Sequence, residues 1–153
     1  MLYSLFRVDK TLMAVPITII LEIVRPSKFY SISGAPEVID GLINFRGKVV
    51  TVINTGLAFG GNKVLTTEES RVYIFKNNSE LTVTDGMELD NEMSPDNIGL
   101  HVDYIENVIN IEIDELQAVP VNMAHPFYKF VVRKGDDFII ILRPAEIINL
   151  NQR

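Results

Sequence analysis

Two histidines, His101 and His125, and a run of carboxylates at Asp85, Glu88, Asp90, Glu92 and Asp96 are the residues best suited to proton transfer or metal binding. Neither histidine has a second ligand at a metal-type spacing such as H-x-x-x-H. His101 lies in an alternating, strand-like run, where a hydrogen-bonded or exposed histidine is expected. His125 precedes Pro126 in a loop-like stretch. The carboxylates could hold a hard cation in principle, but their spacing is not that of a calcium loop and the central glycine is missing. The chain has no cysteine, which removes disulfides, thiolate metal sites and a thiol nucleophile. Neither G-x-x-x-x-G-K-[ST] nor G-x-G-x-x-G is present, so no phosphate cradle is encoded. No residue set supplies a nucleophile, its base and an oxyanion site together. The expectation is a protein with no catalytic residues, no metal and no cofactor.

A different chemistry is open to Arg46. It stands in "GAPEVIDGLINFRGKVVTVINTGLAFG", Gly34 to Gly60, between two apolar runs and beside Gly47. It is either a solvated turn residue or the working end of a binding surface. The elements around it set that choice. "LINF", "RG" and "KVVTVI" read as a hairpin with Gly47 in the tight connection and the valines in the core. "PEVID" reads as one helical turn, with Pro36 at its start and Gly41 just past its end. Upstream, "LYSLFRV" and "LMAVPI" are strands, and Pro16 marks a bend or an edge. "ITIILEIV" reads as a strand with Ile17, Ile19, Leu21 and Ile23 on one face. Thr18, Ile20, Glu22 and Val24 are on the wetter one. Downstream, "RVYIF", "ELTVT" and "IGLHVDYIENVINIEI" are strands, the last long or bent in two. "FYKFVV" and "FIIILR" form a second hairpin, and "PAEIINLN" a short C-terminal helix with Ile147, Ile148 and Leu150 inward. "DGMELDNEMSPDN", 85–97, is an acidic loop. About ten short strands with little helix predict an all-β barrel or paired-barrel fold.

Composition narrows the partners. The 153 residues are 47% hydrophobic, enough for a core in one domain or in two very small lobes sharing one. A net charge of −6 argues against nucleic acid. From Asn77 to Tyr128 there is no Lys or Arg against 11 Asp and Glu, a segment that either orients charged partners or is simply a solvated face. The N-terminus lacks the pattern of a signal peptide. The longest apolar run, "AVPITIILEIV", is too short to span a bilayer. A soluble intracellular protein is the default expectation.

The stretch "GAPEVIDGLINFRGKVVTVI" resembles the signature of the CheW-like domain family, and the likeness continues along the chain. "YSLFRVDKTLMAVPITIILEIV" is similar to the family's opening hairpin and the strand ending in glutamate, here Glu22. "IGLHVDYIENVINI" resembles its "V-G-L-x-V-D-x-V-x-E-V-x-x-I" strand, and "GDDFIIILRPAEII" its closing strand and helix. The sequence departs from the pattern at Thr51 (usually Pro), Asn54 (usually Asp) and Arg143 (usually Asp).

The resemblance implies two small five-stranded β-barrel subdomains packed together, with a short C-terminal helix. In a single 1–153 domain, these would be 1–62 with part of the C-terminus, and 70–143. It implies a non-enzymatic chemotaxis adaptor that couples the cytoplasmic tips of chemoreceptors to the regulatory domain of a CheA-type histidine kinase. Such an adaptor is cytoplasmic, held at the inner face of the membrane through receptor arrays without inserting into it. The alternative is a divergent CheW-like regulatory module that binds a different partner or competes with the coupling protein. A small barrel enzyme or ligand binder is the third class. By resemblance, Glu22 and Arg46 pair beside the receptor-binding surface, in a groove between the barrels that also takes Ile20, Phe45, Gly47 and Val102. Two unrelated surface charges remain the plain alternative for Glu22 and Arg46. Gly41 and Gly47 are the structural turn positions.

Overall fold

The computed structural model describes residues 1–82 and 93–149. The described strands form two five-stranded sheets. The first has the order β8-β1-β2-β10-β9, from β1 (Leu2–Val8), β2 (Thr11–Pro16), β8 (Tyr104–Asn110), β9 (Tyr128–Lys134) and β10 (Asp137–Leu142). The second has the order β3-β6-β7-β5-β4, from β3 (Ile20–Val24), β4 (Ile39–Phe45), β5 (Lys48–Asn54), β6 (Arg71–Phe75) and β7 (Ile98–Val102). Read in these orders, both sheets pair antiparallel, antiparallel, parallel, antiparallel. Among the described residues two short α-helices, α1 (Thr55–Ala58) and α2 (Pro144–Ile148), and the 3-10 turns Ile17–Ile19, Ile113–Glu115 and Val121–Met123 complete the regular structure. No helix among the described residues is long and apolar enough to cross a membrane.

The sheets are mixed and open, which corrects the expectation of two barrels. β8 does not pair with β9, nor β3 with β4. Alternating apolar residues fix that a strand joins a sheet. Whether the last strand pairs with the first depends on tilt and stagger, which local pattern does not carry. The margins are managed in other ways. Tyr30 bridges Leu42 on β4, Gln117 bridges Val131 on β9, and register shifts interrupt the β1–β8 and β3–β6 pairings. Residues 20–102 supply the whole of one sheet, and 2–16 with 104–142 supply the other.

Each sheet is buried on both faces. Phe6, Val8, Met13 and Val15 meet Ile53, Tyr73, Phe75 and Leu100 in the cluster between the sheets. There Tyr73 Oη and Ser4 Oγ share a buried hydrogen bond of 2.7 Å that ties β6 to β1. Burial pushes the Tyr73 phenol well above its ordinary range, and the bond to Ser4 partly opposes this. On the far side of the first sheet, Leu5, Leu12, Ile139 and Ile141 pack under Ile111 and Leu116. On the far side of the second, Ile43, Phe45, Val50, Val52, Val72 and Ile74 pack with Leu21, Val24 and Phe29.

Both hairpins and the C-terminal helix form where the sequence places them, with Ile147 and Ile148 buried. Leu150 lies outside the described residues, as do Asp85, Glu88, Asp90 and Glu92 of the acidic loop. Two local readings need correction, and the run "IGLHVDYIENVIN" takes the second of its two expected forms. "ITIILEIV" is not one strand: Ile17–Ile19 is a 3-10 turn after Pro16, and only Ile20–Val24 is extended. "PEVID" makes a single hydrogen-bonded turn, Ile39 N donating to Pro36 O at 3.0 Å, before β4 begins at Ile39. Gly41 therefore sits inside a strand, beside a register shift, with φ of 141°. The long run "IGLHVDYIENVIN" is two strands in different sheets, broken at Asp103.

Candidate functional site

The β4–β5 connection is two residues long, with Arg46 at φ 52° and Gly47 at φ 79°. Positive φ at both central positions is the hairpin turn that matches the twist of its strands. Glycine adopts it freely; arginine does so at some cost. Three contacts hold the tip. Gly47 N donates to Asn44 Oδ1 at 2.9 Å. The Arg46 guanidinium lies 4.9 Å from the centroid of the Phe45 ring, within cation–π range. Arg46 Nη2 donates to Glu22 Oε1 at 2.9 Å.

Glu22 is aimed by a bulge. β3 pairs Ile20 with Phe75 and then Glu22 with Ile74, which leaves Leu21 as the extra residue. Leu21 turns into the apolar cluster on the outer face of the second sheet, and Glu22 points across its rim. The glutamate side chain is 35% exposed and the arginine 70%.

The expected groove residues separate on burial. Arg46 and Glu22 come together at the surface with Gly47. Phe45 is buried beneath Arg46 at 8% exposure. Ile20 is half-buried against the inter-sheet core. Val102 is wholly buried in that core, so it cannot face a partner. Val50, Val52 and Ile53 are core residues as expected, but Val49 is not: it stands 69% exposed next to Lys48. Ile23, beside Glu22, is 41% exposed. The edge therefore offers an exposed ion pair, while the register turns Ile23, opposite Tyr73, and Val49, opposite Asn44, to the other face of the sheet.

A second polar group lies inside the second sheet. His101 is 1% exposed, and its Nδ1 lies 2.8 Å from Asp40 Oδ2, a carboxylate only 5% exposed. Asn54 Nδ2 donates to both Asp40 oxygens at 3.1 Å and to Val64 O at 2.9 Å. Asn54 Oδ1 accepts from Val64 N at 3.0 Å and from Leu57 N at 3.3 Å, which caps α1. A proton on Nδ1 makes His101 a donor to Asp40. His101 Nε2 is buried with no partner among the described residues. This cluster is a strut that joins β4, β5, β7, α1 and the stretch at Val64. Asp40 gave no signal in sequence because its partner is 61 positions away. Asn54 shows in the sequence only as a departure from the family's aspartate. His125 stacks edge-on against Phe127 at 4.6 Å. Among the described residues no three His, Asp or Glu side chains gather as metal ligands do.

The sequence profile of the CheW-like domain matches residues 2–152. A chemotaxis protein CheW of Helicobacter pylori is 24% identical over 137 residues, which cover 88% of this chain and 73% of that one. The crystal structure of a scaffolding protein, TtCheW of Thermoanaerobacter tengcongensis, superposes with a TM-score of 0.80 at 24% identity. The match covers 99% of this chain and 94% of that one. At that identity the superposition speaks for the fold.

Proposed function

Since the chain belongs to the CheW-like domain family of non-enzymatic chemotaxis scaffolds, we propose that it couples the cytoplasmic tips of chemoreceptors to a CheA-type histidine kinase. The receptor meets the edge built by Glu22 and Arg46. The observation that carries this reading is the ion pair itself, held at 2.9 Å on the exposed rim of the second sheet. A charged tip held in one geometry suits the polar positions that a helical hairpin presents between its apolar ones. The contact is a surface edge, with Phe45 as its support. The adaptor works at the inner face of the membrane through the receptors it holds.

Pull-down with a receptor signalling fragment tests the site. Arg46→Glu should abolish capture while circular dichroism stays unchanged, and the double swap Glu22→Arg, Arg46→Glu should restore it. Undiminished capture by Arg46→Glu would remove the edge from the reading. Co-sedimentation with receptor–kinase arrays separates a coupling adaptor from a CheW-like module that serves another partner.

A further inference from the structure

One residue, Asp103, separates β7 from β8, and these two strands belong to different sheets. The run from Leu100 to Asn110 holds no glycine or proline that would impose a bend there. The earlier crossing between the sheets differs, since Pro16 and the 3-10 turn Ile17–Ile19 redirect the chain by their own conformation. Val102, Tyr104 and Ile105 favour extended backbone, so a straight β7–β8 strand is locally as acceptable as the bent one.

The bend is held from outside. Asp103 N donates to Arg7 O at 3.1 Å. Asp103 Oδ2 accepts from the backbone N–H of Asp9, a residue of the β1–β2 turn with φ of 57°. One bond fixes the peptide that enters Asp103 and the other fixes its side chain. Together they set the direction in which the chain leaves the first sheet.

Everything beyond this hinge is built onto the N-terminal hairpin. β8 pairs with β1, β10 with β2, and β9 with β10. Among the described residues no strand after Asp103 pairs with a strand of the second sheet. A straight β7–β8 strand would carry the chain from Tyr104 onward away from its own hairpin. The hairpin of a second copy offers the same partners, so a reciprocal exchange recovers every pairing.

We propose that Asp103 is the latch of a hinge, and that its release converts two chains into a strand-exchanged dimer. Residues 2–102 of each copy are then completed by the other copy from Tyr104 on. A short hinge favours such exchange and a longer one prevents it. Glu22 and Arg46 both lie before the hinge, so the edge they build stays within one copy and plays no part in the exchange.

The chain has no cysteine, so two can be placed as reporters. Leu2 and Asn110 are exposed and stand opposite each other on β1 and β8. Met1 and Ile111 exchange the backbone hydrogen bonds next to them, which makes Leu2 and Asn110 a non-hydrogen-bonded pair, close enough for a disulfide. Leu2→Cys with Asn110→Cys therefore links a chain to itself in the monomer and two chains in the exchanged dimer. The variant is refolded at rising concentration, oxidised, and run on a denaturing gel without reductant. Covalent dimer should increase with concentration. Adding Asp103→Ala should raise it about tenfold at a given concentration, the scale of one charge-assisted hydrogen bond. A Gly-Ser-Gly insertion after Asp103 should abolish it. Links within single chains at every concentration, with Asp103→Ala as without it, would overturn the proposal. So would an equal yield of dimer from Asn110→Cys alone, which marks random surface linkage. The concentration series with Asp103 in place decides the matter where Asp103→Ala fails to fold.

Discussion

Arg46 and Glu22 sit at opposite margins of one sheet, yet their side chains meet at 2.9 Å. Glu22 is on β3, the first strand in spatial order, and Arg46 is on the turn between the last two. In a flat sheet three to four strand spacings, roughly 14–19 Å, would separate them. The sheet must therefore curl toward its outer apolar cluster, and the two margins are joined by side chains instead of a backbone ladder. Leu21 from one margin and Phe45 from the other pack in that same cluster.

The pair should shape this edge more than it stabilises the fold. Both side chains are substantially exposed, so a double-mutant cycle of Arg46→Ala and Glu22→Ala in urea should give a coupling of about 0–1 kcal/mol, smaller at high salt. A coupling several times larger would mean that the margin contact holds the sheet together.

Two glycines of the same hairpin should respond differently to alanine. At Gly47 an added Cβ meets nothing within 4 Å, so Gly47→Ala costs only the left-handed backbone, about 1 kcal/mol. At Gly41 it would lie 2.6 Å from the backbone oxygen of Tyr30, at the bridge that guards the β4 edge. Gly41→Ala should be the more destabilising of the two by urea denaturation.

Asn54→Asp restores the residue usual in the CheW-like pattern but should harm this chain. Its carboxylate would stand where an amide now donates to Asp40 at 3.1 Å, in a buried site. Two such carboxylates cannot both ionise, so the pair holds a proton with its pKa raised. A raised folded-state pKa gives stability that is present at low pH and lost as pH rises. The variant should melt well below the parent at pH 8 and recover part of the gap at pH 5. Asp40→Asn should relieve it at both. Equal melting of Asn54→Asp and parent at pH 8 would contradict the strut.

How far the sequence foretold these sites depends on how far apart the partners lie. The β4–β5 hairpin was legible because Val50 and Val52 alternate and Gly47 marks the turn. Arg46 stood out as a charge in apolar material. The bulge at Leu21 is not legible, since it exists only relative to β6, and so the alternation of residues 17–24 predicts the wrong facing. Val49 follows the alternation of a core strand but lies at the end of the sheet, where neighbours run out. Strand number came through; the openness of the sheets did not, because it is settled by which margins meet.

Acid should release the clamp on the β8–β9 segment. The hydrogen bond from Lys134 holds the Glu115 carboxyl below its usual range, helped by the backbone N–H of Glu112. A depressed folded-state pKa gives stability present above the unfolded value, about 4.3, and lost as pH falls through the folded one. Glu115→Gln should therefore be less stable than the parent at neutral pH, and the two should converge under acid. A gap independent of pH in thermal melts would assign the effect to packing.

The division of the chain between sheets also sets an order of events. One sheet is drawn from the unbroken stretch 20–102, while the other needs β2 to find β10, with Leu12 opposite Ile139. Closing so long a loop is costly unless the intervening chain has already folded into a compact body. The β1–β2 hairpin leaves the ribosome first and waits longest for its neighbours, its apolar faces bare until the last strands are made. The strands made first are thus among the last to be completed.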